Sequence, residues 1–294
     1  MKTIKNISHI LLLFFWLFNS SSRANQEIVG GEDIKDISSP EFKYTVRLLI
    51  RHEFDPNDEP TLSGRKFSLS CSGAYIGSGK ILTAAHCFPP YIDAPINGVT
   101  KRIGLINQEI EIFSWYRAGS PEIFGLKTKK FQVHPDYEYG WQGKVKDVWN
   151  PSVPINDVAL VSFQGTLRFN KEPIKLETSQ VSSNNKQDFV LSGFGKSTRS
   201  QIQIPQLRRV SLPLLNTLRN GSDVAAGRGS FQTPTDLPSP QGGCTGDSGG
   251  PVALGGKLVG VISRGPGPKH GGCFAGVTIF TTIFSSLDWI KTTF

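Results

Sequence analysis

The chain predicts an all-β fold, on three observations. Short runs rich in Val, Ile, Leu, Phe and Thr fill its middle, turn-forming residues separate them, and helical spacing is confined to the very end. The runs are Tyr44 to Ile50, Gly73 to Ile76, Lys80 to Thr83, Asp157 to Phe163, Asp188 to Leu191, Gln206 to Leu212, Pro251 to Leu254, Lys257 to Ser263 and Gly276 to Phe280. With 31 glycines and 19 prolines as punctuation, they read as strands of a sandwich or barrel. Ile283, Leu287 and Ile290 lie four and three residues apart, on one face of a helix predicted over Ile283 to Phe294. His52 to Lys66 and Glu138 to Asn156 are polar and read as surface loops. No internal repeat is visible.

The 294 residues suffice for one large domain or two ordinary ones. Residues 1–24 read as a secretory signal. Lys2 and Lys5 supply the positive start, Ile10 to Phe18 form an apolar run, and Ser22-Arg23-Ala24 places small residues where a signal peptidase looks. Nine apolar residues are too few for a membrane anchor, which needs about twenty. The expectation is a secreted protein, extracellular or periplasmic, with no stable membrane anchor once the signal is removed.

Export changes how cysteines are read. Cys71, Cys87, Cys244 and Cys273 contain no C-x-x-C pair, and in an oxidising compartment they suggest two disulfides, with three connectivities open. A zinc site, the rival reading, needs tighter ligand pairs. No metal and no cofactor are expected. The net charge of +8 hints at acidic partners. Its clusters, Lys127-Thr128-Lys129-Lys130 and Arg208-Arg209, are short and lack the interleaved aromatics of a nucleic-acid stacking platform, so they read as a solvated basic face.

Three segments carry chemistry: Thr83-Ala84-Ala85-His86-Cys87, Asn156-Asp157-Val158-Ala159-Leu160 and Gly246-Asp247-Ser248-Gly249-Gly250-Pro251. A hydroxyl is a weak nucleophile near neutral pH unless a base takes its proton, and imidazole suits that role. A carboxylate behind the imidazole fixes its tautomer and stabilises the imidazolium. Glycines beside the serine let backbone N–H groups approach a developing oxyanion. Of the five histidines, His9 lies in the leader, His52 and His270 in polar loops, and His134 in a turn before proline. His86 alone follows a strand and precedes a cysteine. Asp147 is the rival acid, but Asp157 opens the apolar run VALVSF and is preferred.

With the order His, Asp, Ser and these neighbours, the sequence resembles the trypsin/chymotrypsin-like serine peptidases from Ile28 to Phe294. TAAHC and GDSGGP carry the resemblance. NDVAL, IVGG, Val133-His134-Pro135, Ser192-Gly193-Phe194-Gly195 and Asp288-Trp289-Ile290 support it. It implies two packed six-stranded antiparallel β-barrels with a C-terminal α-helix and a catalytic cleft between the barrels. His86 and Asp157 would come from the first barrel and Ser248 from the second. Ser248 would be the nucleophile, His86 the base and Asp157 its orienting acid, with the N–H groups of Gly246 and Ser248 as the oxyanion hole. The resemblance pairs Cys71 with Cys87, worth about 3 kcal/mol on the loop-entropy account. It pairs Cys244 with Cys273 beside the pocket. A third bridge frequent in the family has no cysteines here. Implied partners are polypeptide substrates and protein inhibitors, with no nucleic acid, and the implied state is a monomer.

In this family, cutting before Ile28 frees an ammonium that folds inward onto the carboxylate beside the nucleophile, here Asp247. The family usually presents Arg or Lys before that cut. This chain presents Glu27, so residues 25–27 are expected to form a very short propeptide, and 28–294 the peptidase domain. The substrate pocket would draw on Gly242, Gly243, Thr245, Ser263, Arg264, Gly265 and Gly276. Selecting Lys or Arg needs a carboxylate six positions before the nucleophile, and that position is Gly242. An uncharged pocket favours Phe, Tyr, Leu or Met, through about 1.5–3 kcal/mol of burial. The competing reading is an acidic preference, drawn from Arg264, Lys269 and His270 and from Glu27 at the activation site. The alternative to an enzyme is a catalytically silent binding or adhesion module on the same fold. A basic nucleic-acid binder would instead show steeply salt-dependent retention on DNA.

Overall fold

The computed structural model describes residues 28–114, 125–137, 156–196, 206–217, 223–228, 240–265 and 272–294. The signal and propeptide, His9, Asp147, Lys269 and His270 lie outside the described residues. The first half contributes β1 (Glu32–Asp33), β2 (Thr45–Phe54), β3 (Lys66–Gly77), β4 (Lys80–Thr83), β5 (Tyr91–Ile96), β6 (Val99–Phe113), β7 (Leu126–Thr128), β8 (Lys130–Val133) and β9 (Ala159–Ser162). The second contributes β10 (Phe189–Gly193), β11 (Arg208–Leu212), β12 (Leu214–Thr217), β13 (Asp223–Gly227), β14 (Pro251–Leu254), β15 (Lys257–Arg264) and β16 (Val277–Thr282).

Both sheets close on themselves. In the first the order is β6-β2-β3-β4-β9-β8. β7 and β8 are one segment bent at Lys129, and β7 returns to pair with β6 while β8 pairs with β9. In the second the order is β11-β10-β14-β15-β16-β13, and β12 closes it onto β13. The bend there falls at Pro213, which has no N–H to give to a ladder. Counting each bent segment as one strand gives six antiparallel strands per barrel among the described residues, as the resemblance implied. β1 and β5 are additions that pair with β11 and β6. Closure removes the exposed edges that an open sheet would have to protect.

Alternation explains the cores. Along β2, Val46, Leu48 and Ile50 point inward, joined by Ile81, Ile110, Ile112 and Val161. The same parity carries on to His52, which is buried inside β2 and not in a polar loop as the sequence suggested. Burial pushes its imidazole down to about 4. The second core gathers Phe189, Leu191, Val210, Leu212, Val252 and Phe280, with Ile28 among them.

The barrels meet through a third apolar cluster. Ala74, Leu82, Val158 and Leu160 of the first face Ala253, Leu258 and Val261 of the second. Ile283, Leu287 and Ile290 complete it, on the face the spacing predicted. The regular helix α2 is shorter than expected, Leu287–Thr292, preceded by a 3-10 turn at Phe284–Ser286. The helix α1, Pro40–Tyr44, is capped by Ser39, whose hydroxyl accepts from the Phe42 N–H at 3.3 Å.

Polar groups also cross the junction. Ser72 Oγ donates to the Gly246 carbonyl at 2.9 Å and accepts from the Phe194 N–H at 2.9 Å. Gly249, at φ +78°, backs onto Thr83 Oγ1, the Ala84 N–H and the Ser72 carbonyl so closely that a Cβ would overlap all three. Gly249→Ala is therefore expected to destabilise by about 3 kcal/mol or more, from a left-handed backbone plus overpacking. A thermal midpoint unchanged within two degrees would refute that packing.

The N-terminal segment is held by backbone and charge. Val29 bridges Gly242, and β1 sets Glu32 opposite Arg209 and Asp33 opposite Arg208. Arg208 bonds Asp33 at 2.6 Å while itself buried, and Arg209 pairs with Glu32 and Glu41. These arginines are thus an ion-paired clamp and not the solvated face expected from sequence. Lys127, Lys129 and Lys130 are exposed.

Candidate active site

His86 sits in a 3-10 turn, Ala85–Cys87, directly after β4. The Cys71–Cys87 disulfide ties this turn to β3, and Cys244–Cys273 ties the segment before Ser248 to the turn before β16. Asp157 precedes β9, whose ladder with β4 sets Thr83 opposite Ala159. That register brings the two loops together. The Asp157 carboxylate, 2% exposed, accepts from the His86 backbone N–H at 2.9 Å through one oxygen. The other oxygen meets His86 Nδ1 at 2.7 Å and the Ser263 hydroxyl at 2.6 Å.

Burial pushes the Asp157 carboxyl up, but the facing His86, its two N–H bonds and the Ser263 hydroxyl outweigh this and hold it below the ordinary carboxylate value. An ionised carboxylate can only accept, so Nδ1 carries the imidazole proton and Nε2 keeps its lone pair. The imidazole is left with a fixed tautomer and a basic nitrogen on its open side.

Ser248 is half-buried in the turn after Cys244. Its carbonyl accepts from the Ser72 N–H at 2.8 Å, and the next residue abuts Thr83 and Ala84, which lead into His86. The serine and histidine segments therefore adjoin across the barrel junction. The turn closes through Asp247 N–H to the Cys244 carbonyl and Gly250 N–H to the Asp247 carbonyl, at 2.9 and 2.8 Å. Gly246 takes φ +99°, which only glycine adopts readily.

Asp247 points the other way and is fully buried, accepting from the Gly195 N–H at 2.7 Å and the Cys244 N–H at 2.8 Å. Burial pushes its carboxyl up to about 7, against those two N–H groups and the charge of Arg208. Ile28 is buried as well, and as a β-branched residue at φ +37° its backbone is strained.

The pocket residues divide. Gly242 and Gly243 pack against Thr278 and Ile262, and the Gly243 N–H donates to Thr278 Oγ1 at 2.8 Å. Gly276 is buried at φ +67°, while Gly265 is partly exposed. Thr245, grouped with the pocket from sequence, stands exposed, with its carbonyl held by the Lys196 N–H at 2.7 Å. Arg264 is committed to a buried ion pair with Asp223 at 2.8 Å. Asp223, the Ser263 contact with Asp157 and Thr278 do not stand out in the sequence. The one available signal was a charged residue opening the apolar run Asp223-Val224-Ala225-Ala226.

Two antiparallel barrels meeting at a bonded His–Asp pair and a glycine-flanked serine make the framework of a serine-type endopeptidase. The trypsin family model matches residues 28–290. Trypsin beta of Drosophila erecta is 28% identical over 207 residues, covering 69% of this chain and 71% of that protein. Trypsin eta of Drosophila melanogaster is 26% identical over 298 residues, covering 97% and 96%. Trypsin-2 of Salmo salar is 26% identical over 275 residues, covering 92% and 96%. The chain belongs to the trypsin family and is a serine-type endopeptidase acting on polypeptides.

Proposed function

We propose that the chain is a secreted endopeptidase that hydrolyses peptide bonds through Ser248, His86 and Asp157 once a cut before Ile28 frees its terminus. The observation that carries this reading is the buried carboxylate bonded to both the backbone N–H and the Nδ1 of His86. The Ser248 hydroxyl oxygen attacks the scissile carbonyl while its proton passes to His86 Nε2. The N–H groups of Gly246 and Ser248 hold the oxyanion. His86 then protonates the leaving amine, and an acyl-enzyme ester remains on Ser248. Water, deprotonated by His86, attacks that ester and restores the serine.

The activation step has its own support. The new Ile28 ammonium would give Asp247 the charged partner that burial demands, and cutting the bond removes the strained φ at Ile28. Residues 1–24 serve as the secretory signal and 25–27 as the propeptide. The enzyme works as a monomer whose cleft also receives protein inhibitors.

The pocket favours an apolar residue before the cut. Gly242, Gly243, Ile262 and Thr278 put no charge together there, which disfavours Lys and Arg. The acidic alternative loses Arg264, whose charge is answered by Asp223. A peptidyl phosphonate with phenylalanine at its reactive end, added to chain processed at Ile28, is expected to label Ser248, and Ser248→Ala to abolish labelling. An unlabelled processed chain would sink the peptidase reading and favour a binding module. Peptides differing only before the cut should be hydrolysed fastest with Phe, Tyr, Leu or Met there.

A further inference from the structure

A line of polar contacts leads away from Asp157 into the second barrel. Ser263 Oγ donates to Asp157 Oδ2 at 2.6 Å, and Arg264 Nη1 reaches the same Ser263 oxygen at 3.2 Å. Arg264 Nη2 donates to Asp223 Oδ2 at 2.8 Å, and Thr281 Oγ1 donates to Asp223 Oδ1 at 2.8 Å. Arg264 is 9% exposed and Asp223 not at all. A buried ion pair is weak evidence for stability, since apolar replacements often do as well. Its place here has another consequence.

We infer that Arg264, held by Asp223, is a positioning residue that orients the Ser263 hydroxyl onto Asp157 and so fixes the carboxylate that aligns His86. A hydroxyl has one proton to give and lone pairs to receive with. A guanidinium can only donate, so with Arg264 on its oxygen the Ser263 proton has no use on that side. It must go to Asp157, which can only accept. Both ends agree on one direction, and Arg264 holds the Ser263 oxygen in place while its proton points to Asp157. The same groups form a charge line from His86 through Asp157 on the approach to β9, Arg264 on β15 and Asp223 on β13, with Thr281 on β16 uncharged. This inference deepens the proposed triad and depends on it.

The test is a double-mutant cycle on processed enzyme: wild type, Ser263→Ala, Arg264→Met and the pair, read as kcat, KM and the acid limb of kcat/KM against pH. Arg264→Met is expected to lower kcat about tenfold with KM within twofold. Losing the cation while Asp223 stays should raise the acid limb by about half a pH unit. Adding Arg264→Met to Ser263→Ala should lower kcat no further, because the route through Ser263 is already gone. Arg264→Lys should recover part of the loss. A full tenfold loss in the Ser263→Ala background, or an unmoved acid limb in Arg264→Met, would overturn the inference. If Arg264→Met fails to fold around an unpaired Asp223, the variant Arg264→Met with Asp223→Asn takes its place in the cycle. With both charges gone, kcat alone is then read, under the same criterion of no further loss with Ser263→Ala. Inactive wild type with an unlabelled Ser248 would instead count against the triad itself.

Discussion

Asp157→Asn is expected to lower kcat by about 10⁴-fold, with KM changed only a few-fold. Three donors converge on the Asp157 carboxylate: the His86 N–H, His86 Nδ1 and the Ser263 hydroxyl. An asparagine offers one oxygen and one NH₂ in their place. If the oxygen takes the backbone N–H, the amide nitrogen faces Nδ1, which must then accept and surrender its proton to Nε2. A protonated Nε2 cannot receive the Ser248 proton. Steady-state kinetics on a variant with unchanged circular dichroism would check this. Retention of more than a tenth of kcat would remove Asp157 from the triad.

The uncut chain is expected to lose about 4 kcal/mol of stability through Asp247 as pH rises from about 4 to about 7. This carboxyl is pushed up from 3.8 to about 7 by burial in the folded chain. Between those values the folded state keeps a proton that the unfolded state has released, so stability falls as pH rises and the loss is complete above about 7. Asp247→Asn should remove that slope and stabilise the uncut chain at neutral pH. Cutting before Ile28 should reverse the picture. The ammonium then keeps Asp247 ionised, its own pKa is raised, and the stabilisation holds at neutral pH until alkali deprotonates it. Urea midpoints between pH 4 and 8, on Ser248→Ala chain before and after the cut, would report the difference. Identical slopes for uncut chain with and without Asp247→Asn would exclude this carboxyl as the source.

Much of this architecture could be read in advance where side chains repeat with period two. β14 begins and ends at the residues the sequence marked, and the apolar face of the terminal segment is buried as its spacing required. β6 escaped notice for a physical reason. Its inward residues run Ile103 and Leu105, then Ile110 and Ile112, a change of parity made near Asn107 at φ +49°. The register against β2 shifts there, so no single alternation spans the strand. Local composition likewise cannot separate a solvated charge from a paired one. Arg208 and Arg209 find acids more than a hundred residues away in sequence, and Arg264 meets Asp223 only because β15 and β13 both flank β16. The segments around His86, Asp157 and Ser248 stand out in the sequence because their neighbours are constrained too: Gly249 by a backbone contact, Cys87 by a bridge.

The two disulfides each stay within one lobe, and with every cysteine so used no covalent staple joins the lobes. One lobe carries the bonded pair His86 and Asp157, and the other carries Ser248. Their alignment therefore rests on reversible contacts, among them the Leu82–Val261 cluster, the Ser72 hydroxyl, the Ser263–Asp157 bond and the close fit of Gly249. The proposed triad is thus a property of the seam, and it would be lost by slippage between two lobes that each remain intact.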